Sequence, residues 1–249
     1  MREHDCMDIF SDLEAEYDRL DNILGELDND SWMSISGAPG WTVCDVVLHL
    51  AQTDESVVIS LNAPIEATSW RESDVTVDDM VDEMVRDQRA EPSSVLGRWR
   101  AARRSSVAAL RTADPRRRFR WAAAPLKPTT LATTRLAEHW AHGLDITGPL
   151  GIDYPDTDRL HHIAWLGFST LPYAFGLEGV EPPPMYCELS GPSGDLWYFG
   201  SSEAASRIVG SAGEFCRVGA RRLLPGDSQL VASGPHAELA LRVLRNYAY

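Results

Sequence analysis

Between Met7 and Leu27 the apolar residues Ile9, Phe10, Leu13, Tyr17, Leu20, Ile23, Leu24 and Leu27 recur mostly at steps of three and four. That spacing gathers them into one stripe of an amphipathic helix. A turn marked by Gly37, Pro39 and Gly40 follows. The next helix starts at Thr42, whose hydroxyl suits an N-cap, and Asp45 completes a capping-box arrangement in its first turn. It runs WTVCDVVLHLAQTDESVVISLNA and stops before Pro64. Val77 to Arg89 and Val95 to Leu110 carry helical spacing, broken near Pro92. ADPRRRF is a turn, and a further helix starts near Thr129 or Thr130 and ends by Gly148 and Pro149. Long helices in this number, joined by connections of varied length, predict a four-helix bundle.

Past Pro155 the pattern changes. DRLHHIAWLGFSTLPYAFGL (158–177) reads as one more helix, and EPPP (181–184) as a stiff, extended linker. MYCELSGPSGDLWYFG (185–200) holds two short strands around a Gly-Pro-Ser-Gly-Asp turn. Residues 203–222 return to helical spacing, LLPGDSQLVAS is a turn and a strand, and Ala237 to Tyr247 is a last helix. The expected organisation is a helical bundle over residues 1–175 and a small α+β domain over 176–249.

Composition narrows the function classes. Apolar residues make up 44% and charged residues 24% of the chain, ordinary values for a globular protein. No apolar run approaches the ~20 residues that cross a bilayer, and MREHDCMDIF lacks a charged-then-apolar signal pattern. Cys6, Cys44, Cys187 and Cys216 lie too far apart for a zinc-finger spacing, so free thiols in a reducing cytoplasm are expected. The net charge of −14 argues against a nucleic-acid partner. It is spread unevenly. Residues 1–90 carry 22 acidic and 5 basic side chains, a net −17, whereas residues 91–150 carry 4 and 11, a net +7. The basic segment includes RRRFR (116–120). It is either a solvated loop that pairs with the acidic first third or a rim that attracts an anionic small molecule.

The chemistry concentrates in RLAEHWAHGLDI (135–146). Glu138 and His142, four apart, share one helix face and can bite one divalent cation. Asp145, three past His142, is placed to orient its imidazole. His139 is turned away from the pair, and Trp140 points to another face. Trp41, Trp121 and Trp140 read as core. A catalytic zinc takes about three protein ligands and keeps a position open. His49, alone in the apolar run VVLHLAQ, is either a hydrogen-bonded core histidine or the third ligand from a facing helix. Cys44, in the first turn of the His49 helix, is a weaker candidate for a thiol activated by the helix N-terminus. Cys216 reads as a buried apolar position.

GWTVCDVVLHLAQTDE (40–55) and LATTRLAEHWAHGLDI (131–146) resemble the two signature helices of the mycothiol-dependent maleylpyruvate isomerase family, within the DinB/YfiT-like metal-dependent superfamily. ELSGPSGDLWYFGSSEAASRIVGSAGEFCRVGARR (188–222) is similar to the family's C-terminal half, a small α+β unit related to sterol-carrier-protein folds. The resemblance implies a DinB-like four-helix bundle with a divalent metal, usually zinc, held by positions that match His49, Glu138 and His142. It implies mycothiol as the thiol cosubstrate and an electrophilic small molecule as its partner. The activity implied is S-transfer or thiol-assisted cis–trans isomerisation. Two alternatives keep the same ligands: a metal-dependent hydrolase with water at the open position, and a non-catalytic metal-binding module. Arg217, Arg221 and Arg222 are candidates for an anionic substrate.

Overall fold

The computed structural model describes residues 8–63, 77–121 and 124–246, so Cys6, Met7 and Tyr247 of the readings above lie outside the described residues. The chain divides into two compact units at Tyr154 and Pro155.

The first unit opens with α1 (Ile9–Glu26), whose first turn is capped by the Asp8 carboxylate accepting from the Phe10 and Ser11 amides. A short α2 (Asn29–Met33) follows. Then comes α3 (Val43–Asn62), where the Thr42 hydroxyl accepts from the Asp45 amide and the Asp45 carboxylate from the Thr42 amide, completing the capping box. Helix α4 spans Val77–Asp87. The expected break near Pro92 is present, and α5 (Pro92–Thr112) begins at the proline itself, because a missing N–H costs nothing in a first turn. Helix α6 (Pro128–Leu150) uses Pro128 in the same way and runs through Pro149 to Gly151, left-handed at φ 65°.

Helices α1, α3, α5 and α6 form the bundle, α3 packing on α5 and α6, and α1 on α6 and α5. Leu13, Leu20, Leu24, Val46, Leu50, Trp99, Leu131 and Leu136 fill its core. The opposed charges of the sequence meet across α1 and α5. Arg100 binds Asp21, Arg103 binds Asp18 and Asp21, and Arg111 binds Asp8 and Glu14. These three arginines sit on α5, ahead of RRRFR in the chain. Within that segment Phe119 pairs with Leu126 in an isolated bridge.

The second unit holds α7 (Leu160–Leu177), β1 (Met185–Ser190), β2 (Leu196–Gly200), β3 (Ser206–Ser211), α8 (Ala212–Gly219), a 3-10 turn (Pro225–Asp227), β4 (Val231–Ser233) and α9 (Ala237–Val243). The sheet order is β2-β1-β3-β4, with β1 and β3 parallel and both outer pairs antiparallel. Two expectations are corrected. Helix α7, assigned to the bundle by the 1–175 boundary, belongs to the second unit, where it packs on α8, α9 and β2. EPPP consequently joins α7 to β1 inside that unit and does not separate the halves. The expected helix over 203–222 is a strand followed by a helix. SRIVGS lies in register beside β1, Cys187 opposite Ile208, and pairing with a buried neighbour overrides local periodicity.

Candidate metal centre

His49 sits two turns into α3, in a stretch where Val46, Val47, Leu48 and Leu50 are all buried. The capping box fixes where α3 begins and so which face His49 presents. Glu138 and His142 lie one turn apart on α6, which packs on α3. The structure brings the three predicted residues together. Glu138 Oε2 is 3.6 Å from His49 Nε2 and 3.6 Å from His142 Nε2. One ligating atom from each of the three lies within 4.8 Å of the others, the single such His, Cys, Asp or Glu group among the described residues.

These residues fit a divalent cation. At 3.6 Å the donor atoms stand beyond hydrogen-bond reach of one another. They stand near the spacing of about 3.3 Å that tetrahedral ligands take at bond lengths of ~2.0–2.1 Å. Two imidazoles and a carboxylate are a borderline, zinc-compatible donor set. The His142 Nδ1–H donates to Asp145 Oδ2 at 2.9 Å, which leaves Nε2 as the free lone pair, as Asp145 was expected to arrange. His49 Nδ1 is buried without a hydrogen-bond partner among the described residues.

Electrostatics point the same way. Burial lowers the His49 pKa and keeps its imidazole neutral. Burial opposes charge on Glu138 too, but His142, His49 and the Arg135 guanidinium outweigh it and hold that carboxyl well below its usual range. On His142 burial is outweighed by the Asp145 and Glu138 carboxylates, which raise the imidazole's proton affinity. The carboxylates of Glu138 and Asp145 thus favour positive charge at His142, the sign of charge a cation would bring to the site.

His139 is a satisfied core histidine. Its Nε2 accepts from the Trp99 indole N–H at 3.1 Å, and its Nδ1 lies 2.9 Å from the Arg135 carbonyl, which takes the Nδ1 proton. Burial, first, and the Arg135 charge press its pKa well below the ordinary value. Beside it a fully buried set links Tyr17 and Arg135 to Asp54 at 2.9 and 3.0 Å. Neither Asp54 nor Arg135 was singled out from sequence; Asp54 lies five residues beyond His49, and nothing in a single charged position signals a buried ion pair.

Three other readings change. Cys44 is no activated thiol: burial and the neighbouring Asp45 and Glu91 charges push it up to about 11, and its Sγ reaches the Ala90 carbonyl. Arg217 is engaged in a two-pronged ion pair with Asp156 at 2.7 and 2.9 Å. Trp41 is not core. It is half-buried, its ring lies 5.1 Å from that of His49 and 6.3 Å from that of His142, and its indole N–H donates to Asp82 at 2.8 Å.

A helical bundle with a two-histidine, one-glutamate cluster between α3 and α6, joined to a small sheet unit, defines a class of protein. The mycothiol maleylpyruvate isomerase N-terminal domain matches residues 13–147, and the chain belongs to that family. It is 35% identical over 248 residues to "Uncharacterized protein Rv0036c" of Mycobacterium tuberculosis (strain ATCC 25618 / H37Rv), covering 96% of this chain and 94% of the relative. The same figures hold for "Uncharacterized protein MT0041" of strain CDC 1551 / Oshkosh. Among solved structures, a mycothiol-dependent maleylpyruvate isomerase aligns over 91% of this chain and 95% of its own at a TM-score of 0.61 and 14% identity. A histidine-to-alanine mutant of such an isomerase aligns at 0.60 and 13%. At that identity the likeness speaks for the fold. Among the described residues no helix is long and apolar enough to cross a membrane.

Proposed function

We propose that this protein is a metal-dependent, mycothiol-dependent enzyme that adds a thiolate to an electrophilic small molecule. The observation that carries the reading is the convergence of His49 Nε2, Glu138 Oε2 and His142 Nε2 in a member of this family. A divalent cation held by these residues, zinc by the donor set, supplies the Lewis acidity that keeps a bound thiol deprotonated near neutral pH. The chain's own contribution is positional. Asp145 fixes the His142 tautomer, burial keeps His49 neutral, and Glu138 stays ionised beside them. The protein's own Cys44 is held protonated, so the nucleophile comes from outside.

In this reading the thiolate sulfur forms a bond to an electrophilic carbon, and the electron pair of the carbon's π bond moves onto its acceptor group. An adduct that rotates and expels the same thiolate gives a cis–trans isomerase. An adduct that takes up a proton and persists gives an S-transferase. The second unit, a four-stranded sheet with three helices, is of the sterol-carrier-protein kind in this reading. A thiol of this type is kept reduced in the cytoplasm, where the reading places the protein.

The test is a metal count on protein purified without chelator, followed by turnover of candidate electrophiles with and without mycothiol. One divalent ion per chain, lost in His49→Ala, with turnover only when mycothiol is present, is the expected result. Equal turnover without any thiol would sink the thiol reading and leave a hydrolase with water in the open position.

A further inference from the structure

The turn between α2 and α3 reaches the centre through two residues, Trp41 beside both imidazoles and Gly37 against Asp145. On one side Trp41 lays its indole against the His49 ring, tilted by 49°, and beside the His142 ring, near-parallel at 24°. On the other, the Gly37 amide donates to the Asp145 carbonyl at 2.7 Å. Asp145 is the residue whose carboxylate holds His142 Nδ1. A Cβ on Gly37 would stand 3.0 Å from Asp145 Cα and 3.3 Å from Asp145 Oδ1, so any larger residue must push Asp145 by a few tenths of an ångström.

The turn itself is stiff. Ile35 and Thr42 form an antiparallel bridge. The Ser36 amide donates to the Trp41 carbonyl at 2.9 Å, and the Val43 amide to the Ser34 carbonyl at 3.0 Å. The Ser36 hydroxyl donates to the Trp41 carbonyl and accepts from the Ala38 amide. Gly40, at φ 80°, supplies the left-handed residue that lets the chain reverse. Trp41 is then tied to α4 through Asp82, and α4 is itself strapped to α3 by Gln52 donating to the Met84 carbonyl at 2.9 Å.

We infer that Gly37 and Trp41 are positioning residues, which clamp the two imidazoles of the proposed metal centre and thereby set its affinity and coordination geometry. The inference rests on the metal reading above. Its physical basis is that a ligand whose ring is free to rotate must be ordered when the cation binds, whereas the His142 ring is already held between an indole and a bonded carboxylate and the His49 ring is packed against the same indole. The turn's backbone is ordered by its own hydrogen bonds, so the clamp exists before the cation arrives.

The test uses cobalt(II), whose visible absorption is strong in tetrahedral sites and weak in octahedral ones. The full chain, its Gly37→Ala, Trp41→Ala, Trp41→Phe and Asp82→Ala variants, and His49→Ala are titrated with cobalt and checked for fold by circular dichroism. Gly37→Ala and Trp41→Ala are expected to bind cobalt about 10–100-fold more weakly, with an altered visible spectrum. Trp41→Phe keeps a ring face but loses the Asp82 bond, and Asp82→Ala loses only that bond; both should fall between. Folded Gly37→Ala and Trp41→Phe variants with wild-type affinity and spectrum would overturn the clamp, even if Trp41→Ala proved unstable. If the unaltered chain binds no cobalt, or His49→Ala binds it equally well, the metal reading itself fails and the clamp falls with it.

Discussion

Three histidines of the bundle show how far environment decides a role. His49, His139 and His142 are all shielded from solvent, yet only two are ligand candidates. His139 has spent both ring nitrogens, one on the Trp99 indole and one on the Arg135 carbonyl. His142 has spent one, on Asp145, and keeps Nε2 beside Glu138. His142→Ala should therefore lose the metal with little loss of fold, as read by elemental analysis. His139→Ala should keep the metal and lose about 1–3 kcal/mol of stability in chemical denaturation, because the Trp99 N–H is left buried and unpaired. A metal loss in His139→Ala equal to that in His142→Ala would mean the wrong face of α6 has been assigned. Much of this was legible in the sequence. The four-residue step from Glu138 to His142 defines a helix face, and His49 stood out as a lone histidine in an apolar run, a position the resemblance then matched. Trp41 was not legible, because a tryptophan flanking a glycine turn reads the same whether it faces a core or a site.

At the scale of elements, the start of α3 controls the centre, since a slip of its first turn would rotate His49 off the Glu138 face. Asp45 holds that start twice over. It accepts from the Thr42 amide, and from Arg89 Nε and Nη2 at 2.8 and 2.9 Å. Burial acts to raise the Asp45 pKa, but the Arg89 and Thr42 hydrogen bonds outweigh it and hold the carboxyl below its ordinary value. A carboxyl depressed in the folded state favours folding above its unfolded pKa, ~3.9, and that contribution fades as pH falls through the folded value. Asp45→Ala should cost about 0.5–2 kcal/mol near pH 7, the range for a lost helix cap. The gap to the unaltered chain should narrow in urea titrations as the pH is taken down from about 3.9; a gap that does not change with pH there would show that the carboxylate's charge plays no part. The capping box was readable from TVCD. The ion pair to Arg89, 44 residues on, was not. Nor was β3: its six residues SRIVGS carry no alternation strong enough to outvote the helical spacing on either side, and only the parallel neighbour β1 settles their state.

For the whole molecule, the division at Tyr154 and Pro155 places the entire proposed centre in the first unit. His49, Glu138, His142, Asp145, Gly37, Trp41 and Asp82 all precede the boundary. The boundary was misread from sequence because α7 carries the same apolar spacing as a bundle helix, and periodicity states that a face is buried without stating against what. Its buried Ile163, Leu166, Leu171 and Phe175 serve the second unit's core together with Phe215 and Leu241. The first unit has its own core, closed at its end by Tyr154. The Tyr154 ring lies under Arg19 at 3.6 Å, its hydroxyl donates to the buried Glu16, and no Cβ fits at Gly143 beside it. If the centre is complete within that unit, metal binding does not depend on residues 155–249. A chain ended after Tyr154 should remain helical by circular dichroism and bind one divalent ion, with an affinity within about tenfold of the full protein. Limited proteolysis of the full chain near the junction, followed by native mass spectrometry, provides the same measurement without re-expression, and the ion should travel with the N-terminal fragment. A helical fragment that has lost the ion would show that the three ligands are not sufficient and that the second unit is needed to hold the cation.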